Sequence, residues 1–255
     1  MNYTFTIVTV TLNNYEGLLN TYNSITIQSS RDYQWVVIDG NSSDDTCKFL
    51  ASLKKSGSQV KWISEDDSGI YNAMNKGVSL SDGDYVIFLN AGDVFADKNV
   101  LQNLTNLDNF SNYDIIYGDS YEKLNKSIFY KKARSYKFIW YGMFTHHQSI
   151  LYRRKMLLSY PYSEDLFIAA DYDTTAKLIS LNFSCLYTNM AICIFTAGGL
   201  SSTSFSIGLK EQMFTRIKVL KLPLFFCYII YLQQNLFWIL RKAFPFIYIF
   251  YRKIF

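Results

Sequence analysis

"YVIFLNAGD" (residues 85–93) is an apolar run that breaks abruptly into an amide, two small residues and one carboxylate. Five consecutive large apolar residues bounded by Asp84 and Asn90 read as a strand buried on both faces. The break then marks a sheet edge at which the backbone turns sharply and leaves Asp93 just beyond the strand.

Working outward, apolar strand candidates recur at residues 5–10, 35–38 and 60–63, and segments near 16–28, 45–55 and 70–79 have helical length and pattern. The order β-α-β-α-β-α-β predicts a parallel sheet covered by helices on both faces, an α/β fold. In such sheets ligands sit beyond the carboxyl ends of the strands. Those ends read "TLNN" (11–14), "DGNSSDDT" (39–46), "SEDDSG" (64–69) and "NAGD" (90–93), all small, polar and mostly acid-bearing. From about residue 113 the rhythm loosens into shorter pieces, including a short strand "SILY" after His146 and His147 and an acid-opened helix in "IAADYDTTAKLISL". The expected organisation is therefore a domain over 1–205, with a first half (1–112) and a second half (113–205) that closes over it, followed by a tail over 206–255.

The 255 residues carry a net charge of +4, too mild to call for nucleic acid, and 21 Tyr with 20 Phe make the chain unusually aromatic. Four scattered cysteines without a C-x-x-C suggest reduced thiols rather than a disulfide or zinc framework. The N-terminus lacks the basic region of a signal peptide, so the domain is expected in the cytoplasm. In the tail, residues 207–221 alternate apolar and charged residues at helical spacing, and residues 222–240 contain no charge. Gln233, Gln234 and Asn235 in the middle argue against a lipid-exposed span, and the aromatic-basic end "AFPFIYIFYRKIF" suits a membrane interface. The tail is expected to lie on or in that interface; the other readings are a span, or packing on the domain or on a second copy in a homodimer.

Each strand end has a chemical and a plain reading. Asp39 can accept hydrogen bonds from a base or ribose, or simply cap the next turn. Asp66 and Asp67 can complete such a pocket, or sit at a helix N-terminus for its dipole alone. Lys76 can offset phosphate charge or be an ordinary helix lysine. Asp93 can supply a hard oxygen to Mg2+ or Mn2+, whose remaining ligands would be phosphate oxygens and water. Asn90 can add an amide oxygen or orient a ribose, and Ala91 and Gly92 leave the floor open for a diphosphate. His147 can meet metal or diphosphate, and Arg153 suits phosphate oxygens.

As a set, "TIVTVTLNN", "VVIDGNSSDDT", "SEDDSGIYNAMNKG", "VIFLNAGD", "HHQSILYRR" and "AADYDTTAKL" resemble the family 2 glycosyltransferases with the A-type fold, most nearly their bacterial O-antigen and capsule branch, over roughly residues 4–202. The resemblance implies a nucleotide-sugar donor (a UDP-sugar is expected), a divalent metal and inversion at the anomeric carbon. By that likeness Thr9, Thr11 and Asn13 line the nucleoside pocket, Asp39 holds the base with Asp66 or Asp67, residues 90–93 replace the aspartate pair motif, and Asp171 is the catalytic base. The implied reaction is hexose transfer to a lipid-diphosphate-linked saccharide at the cytoplasmic face of the inner membrane, by a peripheral protein. Two departures are plain: residues 90–93 hold one carboxylate, and Met74 stands where many relatives have Arg. The thinned motif keeps open an alternative in which the chain is a catalytically degenerate nucleotide-sugar-binding scaffold. A nucleotidyltransferase would need a Gly-rich basic loop after the first strand, which "TLNNYEG" is not. Asp171 and Asp173 would diverge by about 200° on a helix, so both cannot face one substrate unless they sit before its first turn; the plain reading makes both N-terminal helix acids.

Overall fold

A computed structural model describes residues 3–55, 60–124, 127–196 and 204–244. The stretch "AGGLSS" (197–202) and the end of the tail (245–255) lie outside the described residues. Strands β1 (Phe5–Thr11), β2 (Tyr33–Asp39), β3 (Val60–Ser64) and β4 (Tyr85–Phe88) alternate with helices α1 (Tyr15–Thr26), α2 (Thr46–Lys55) and α3 (Ile70–Leu80), as the pattern predicts. β1 lies between β2 and β4 and pairs with both in parallel, and β3 extends the sheet beyond β2. Every residue of β1 and β4 is buried, which is why neither shows the polar alternation of a half-exposed strand.

The two sheet faces carry separate cores. Val8, Val10, Val36, Ile38 and Phe88 pack with Tyr71, Met74 and Val78 of α3. Ile7, Val37, Ile87 and Leu89 face the other way, onto Leu18 and Ile25 of α1 and onto α4 (Val100–Thr105). Burying both faces of a strand core is the main stabilising term, at about 25 cal/mol per Å² of apolar surface.

The second half adds β5 (Val94–Phe95), β6 (Ile115–Leu124), β7 (Ser127–Lys131), β8 (Ile150–Arg153) and β9 (Cys185–Thr196), with α5 (Arg154–Ser159) and α6 (Ala170–Ser180). The strand order is β3-β2-β1-β4-β8-β6-β9-β5, with β7 hairpinned onto β6. β8 runs antiparallel to β4, with Tyr85 opposite Arg153. Its start therefore lies at the ligand end of the sheet and its finish at the opposite end. Asn75 of α3 and Tyr162 exchange hydrogen bonds at 2.9 and 3.0 Å, and Glu164 accepts from Asn72 and Asn75, which pins the second half against the first.

The tail forms α7 (Phe205–Lys218) and α8 (Leu224–Ala243). Among the described residues no helix is long and apolar enough to cross a membrane. α7 is tied into the domain: Arg216 is fully buried and donates to the Trp140 and Tyr141 carbonyls, and Thr215 donates to Asp173 at 2.6 Å. α8 instead leaves Leu224, Phe225, Tyr228, Leu232, Leu236 and Ile239 about half exposed or more.

Candidate active site

The break after β4 is built by its neighbours. Gly92 adopts φ +106°, a conformation that a side chain would strain, and its N–H donates to the Gly17 carbonyl and the Thr21 hydroxyl of α1. Asn14 caps α1 by accepting from the Gly17 N–H at 3.1 Å and donates from Nδ2 to the Ala91 carbonyl at 3.0 Å. The turn is thus clamped to the first turn of α1. Asn14 was not singled out by the sequence reading, although an Asn before a helical run is an N-cap signal.

Asp93 is 5 % exposed; one carboxylate oxygen accepts from Gln148 Nε2 at 2.9 Å and the other from the Thr196 N–H at 3.2 Å. Burial outweighs these bonds and pushes its pKa up to about 7. Asn90 Oδ1 is buried without a hydrogen-bond partner. A buried carboxylate short of positive charge beside an amide oxygen short of a donor is a hard-oxygen set suited to Mg2+ or Mn2+. Among the described residues no three His, Cys, Asp or Glu side chains cluster, so such an ion would draw its other ligands from phosphate and water.

This turn floors a cavity of about 1140 Å³. Tyr71 and Met74 of α3 and Asp171 of α6 also line it; Asp93 and Asp171 are the two carboxylates among its lining residues. Asp171 Oδ1 accepts from the Tyr71 hydroxyl at 3.2 Å and the Tyr172 N–H at 2.8 Å. Asp173, one helical step away, turns to Thr215 of α7, so the two acids do diverge. The far wall carries Lys123 and Lys131 of the β6–β7 hairpin with His146, which stacks on Phe195 at 4.5 Å.

Ahead of Asp171, the carboxylate of Glu211 on α7 accepts from the N–H groups of Phe167, Ile168 and Ala169 at 2.7, 2.9 and 2.9 Å. Three N–H donors of the segment leading into α6 are held by one anion, favoured also by the nearby helix N-terminus. Glu211→Ala is expected to destabilise the chain by about 1–3 kcal/mol, since the donors are left unsatisfied. It should also lower turnover, because Asp171 follows directly; thermal melting and initial rates check both, and an unchanged melting temperature would contradict the cap.

The other predicted residues are distributed unevenly. Asn13 (φ 48°) bonds Ser42 and Ser43, Asn41 donates to Asp66, and Asp67 lies where a side chain on Gly40 would meet it at 2.8 Å. These form a ledge beside the cavity, joined to it at Leu12. Asp39 is fully buried beneath the ledge and accepts from Ser42, from Ser64 Oγ at 2.6 Å and from Cys47. Thr11 Oγ1, paired in register with Asp39, is buried without a partner.

Two expectations, for Thr9 and Arg153, need correction, and two further residues, Lys76 and His147, carry engagements that the sequence did not show. Thr9 does not reach a nucleoside pocket: it shares a sheet face with Ile7, and its hydroxyl accepts from Trp35 Nε1 at 3.0 Å inside the core. Arg153 stands at the opposite end of the sheet, because β8 is antiparallel; it pairs with Asp114 at 3.4 Å, donates to the Tyr85 hydroxyl and stacks over that ring at 4.8 Å. Lys76 is engaged by Glu65 at 2.7 Å and by the Asp66 carbonyl and is not among the cavity lining. His147 lines the cavity, but its Nε2 is occupied by the Tyr162 hydroxyl at 2.8 Å, its ring stacks on Phe88, and burial lowers its pKa, so it serves as a neutral prop for that wall.

Comparison with known proteins covers more than half of the chain. The family model described as "Glycosyl transferase family 2" matches residues 6–167. Over 215 residues the chain is 29% identical to a PGL/p-HBAD biosynthesis glycosyltransferase of Mycobacterium bovis BCG, covering 78% of this chain and 79% of that one. It is 25% identical over 196 residues to the amylovoran biosynthesis glycosyltransferase AmsB of Erwinia amylovora, covering 70% and 65%. The fold is similar to S. aureus TarS 1-349 in complex with UDP-GlcNAc, with a TM-score of 0.67 at 18% identity, covering 95% of this chain and 73% of TarS. It is also similar to the mannosyltransferase PcManGT of Pyrobaculum calidifontis in complex with GDP-Man and Mn2+, with a TM-score of 0.63 at 14% identity over 85% and 64% of the two chains.

Proposed function

The chain belongs to glycosyl transferase family 2, and on that premise we propose that it is a divalent-cation-dependent, inverting hexosyltransferase that moves a sugar from a UDP-sugar to a lipid-diphosphate-linked saccharide during assembly of O-antigen or a related surface polysaccharide. The observation that carries this is that Asp171 and the Asp93 turn line one cavity. The ledge of Asn13, Asp66 and Asp67 beside Leu12 is where the nucleoside would lie, with Asp39 shaping it from beneath. The diphosphate would then cross Asn90, Ala91 and Gly92 toward Lys123 and Lys131.

In the reaction, the acceptor hydroxyl oxygen forms a bond to the anomeric carbon as the bond from that carbon to the diphosphate oxygen breaks. The hydroxyl proton passes to Asp171, and the nucleoside diphosphate leaves with the bonding pair, so configuration inverts. A divalent cation held by Asp93, with Asn90 Oδ1 beside it, would supply Lewis-acid stabilisation of the leaving diphosphate. Tyr71 holds Asp171 in place by its hydrogen bond. The acceptor and the surface-polysaccharide setting draw support from the named biosynthetic roles of the relatives, and the peripheral position on the cytoplasmic face of the inner membrane from the exposed apolar face of α8.

A panel of UDP- and GDP-sugars tests the reading. One UDP-sugar is expected to raise the melting temperature in the presence of Mg2+ or Mn2+ and to release UDP slowly in water, both effects disappearing with chelator. A chain stabilised by no sugar nucleotide would sink the proposal; stabilisation indifferent to chelator would sink its metal part.

A further inference from the structure

A second cavity, of about 960 Å³, lies between α7 and α8. Its walls are apolar: Phe205 and Leu209 from α7 face Phe237 and Trp238 from α8, with Phe205 and Trp238 stacked at 5.1 Å and 2°. One end is polar, where Gln212 and Gln234 both accept from the fully buried Arg216. That guanidinium keeps one nitrogen, Nη1, without a hydrogen-bond partner. Arg241 lines the groove and Lys242 sits 4.0 Å over the Trp238 ring, so the rim is cationic.

The groove stands next to the active site. Tyr141 lines the groove and Met143, two residues on, lines the catalytic cavity. Gln212 lines the groove while its neighbour Glu211 holds the backbone just ahead of Asp171. α8 also carries the exposed apolar residues described above, a surface suited to lipid.

We propose that this groove binds the hydrocarbon chain of a lipid diphosphate, seating the acceptor so that its diphosphate and first sugar pass residues 141–143 into the cavity of Asp171. This rests on the reading of the acceptor as lipid-linked. The apolar walls match a prenyl or alkyl chain, and the polar end at Tyr141, Gln212 and Gln234 suits the diphosphate that leaves it toward the catalytic cavity. The volume, within the roughly 300–1,000 Å³ of ordinary small-molecule sites, suits the first few isoprene units next to the head group.

The test uses the full chain with farnesyl diphosphate as probe and inorganic pyrophosphate as control, read by tryptophan fluorescence and thermal shift. Farnesyl diphosphate is expected to bind at least about tenfold more tightly than pyrophosphate, because only it buries apolar surface. Phe237 and Leu240 are 54 % and 43 % exposed, so a Phe237→Asn, Leu240→Asn double variant should fold normally, keep its UDP-sugar thermal shift and lose about tenfold in farnesyl diphosphate affinity. Equal affinities for the two probes, or undiminished binding in the variant, would overturn the groove. So would a variant that leaves farnesyl diphosphate binding intact but dissociates a dimer by light scattering, or that only loses sedimentation with acceptor-free phosphatidylglycerol vesicles; these assign the face to a second copy or to bulk membrane. Failure of the sugar-nucleotide panel with farnesyl diphosphate still bound would remove the transferase reading and leave the lipid site standing.

Discussion

Asp171→Asn is expected to lower the rate of sugar transfer by about 10²–10⁴-fold, the range for removing a general base, while leaving sugar-nucleotide binding unchanged. The amide matches the carboxylate in shape, and its oxygen can still accept from the Tyr71 hydroxyl and the Tyr172 N–H, so the cavity wall should stay in place. What it lacks is a basic oxygen for the acceptor proton. The loss should therefore fall on kcat, with the donor-induced melting shift preserved. Asp173→Asn provides the contrast: Asp173 faces Thr215 on α7, away from the cavity, so it should cost stability and little turnover. If both variants turned over equally, Asp171 would not be the base; if the unaltered chain bound donor without transferring it, the scaffold reading suggested by the thinned aspartate motif would take over.

The first half of the fold was readable because each local signal agreed with the next. The runs at residues 5–10, 35–38, 60–63 and 85–89 lie within one residue or two of β1 to β4, and the three intervening helices fall where the spacing puts them. Four acid-bearing or amide-bearing strand ends did converge, at Asn13, Asp39, Asp66 with Asp67, and Asp93. The misplacements have definite causes. Strand period 2 puts Thr9 on one face or the other, but only the packing of Trp35 shows that this face is closed by α1 rather than open to ligand. Arg153 was misassigned because a short strand does not reveal its direction; a parallel β8 would have brought Arg153 to the site, and the antiparallel one brings His147 and Gln148 instead.

Residues that act across long sequence separations carried no local mark. Gln148 reaches Asp93 over 55 positions, and Glu211 reaches the start of α6 over 42 to 44. Lys123 and Lys131 arrive in the cavity through the β6–β7 hairpin, whose register pairs Ser120 with Lys131. β5, only two residues long, was too short for any periodicity to register. The tail was legible in composition but not in partnership: α7 belongs to the domain through Glu211, Thr215 and Arg216, whereas α8 keeps the apolar face that the composition predicts for an interface.

Asp93→Asn is expected to abolish cation-dependent transfer and yet make the cation-free chain more stable at pH 8. Burial holds the Asp93 carboxyl at a pKa of about 7, against 3.8 for the exposed group, so the folded chain binds a proton that the unfolded chain releases between those values. Stability of the cation-free chain must then fall as pH rises from about 4 to 7, and the penalty is fully present above 7. A shift of that size corresponds to an upper limit on the order of 4 kcal/mol, at about 1.4 kcal/mol per unit. The asparagine variant should lack this slope. Melting the unaltered chain with chelator at pH 5 and pH 8 should show the decline, and Mg2+ or Mn2+ with UDP should reverse it at pH 8 by giving the carboxylate a counter-charge. Asn90→Ala should mainly weaken donor binding, since it removes an unpartnered amide oxygen and no charge. Should Asn90→Ala prove the more damaging change, or should Asp93→Asn retain transfer that chelator still abolishes, the roles assigned within residues 90–93 would have to be exchanged.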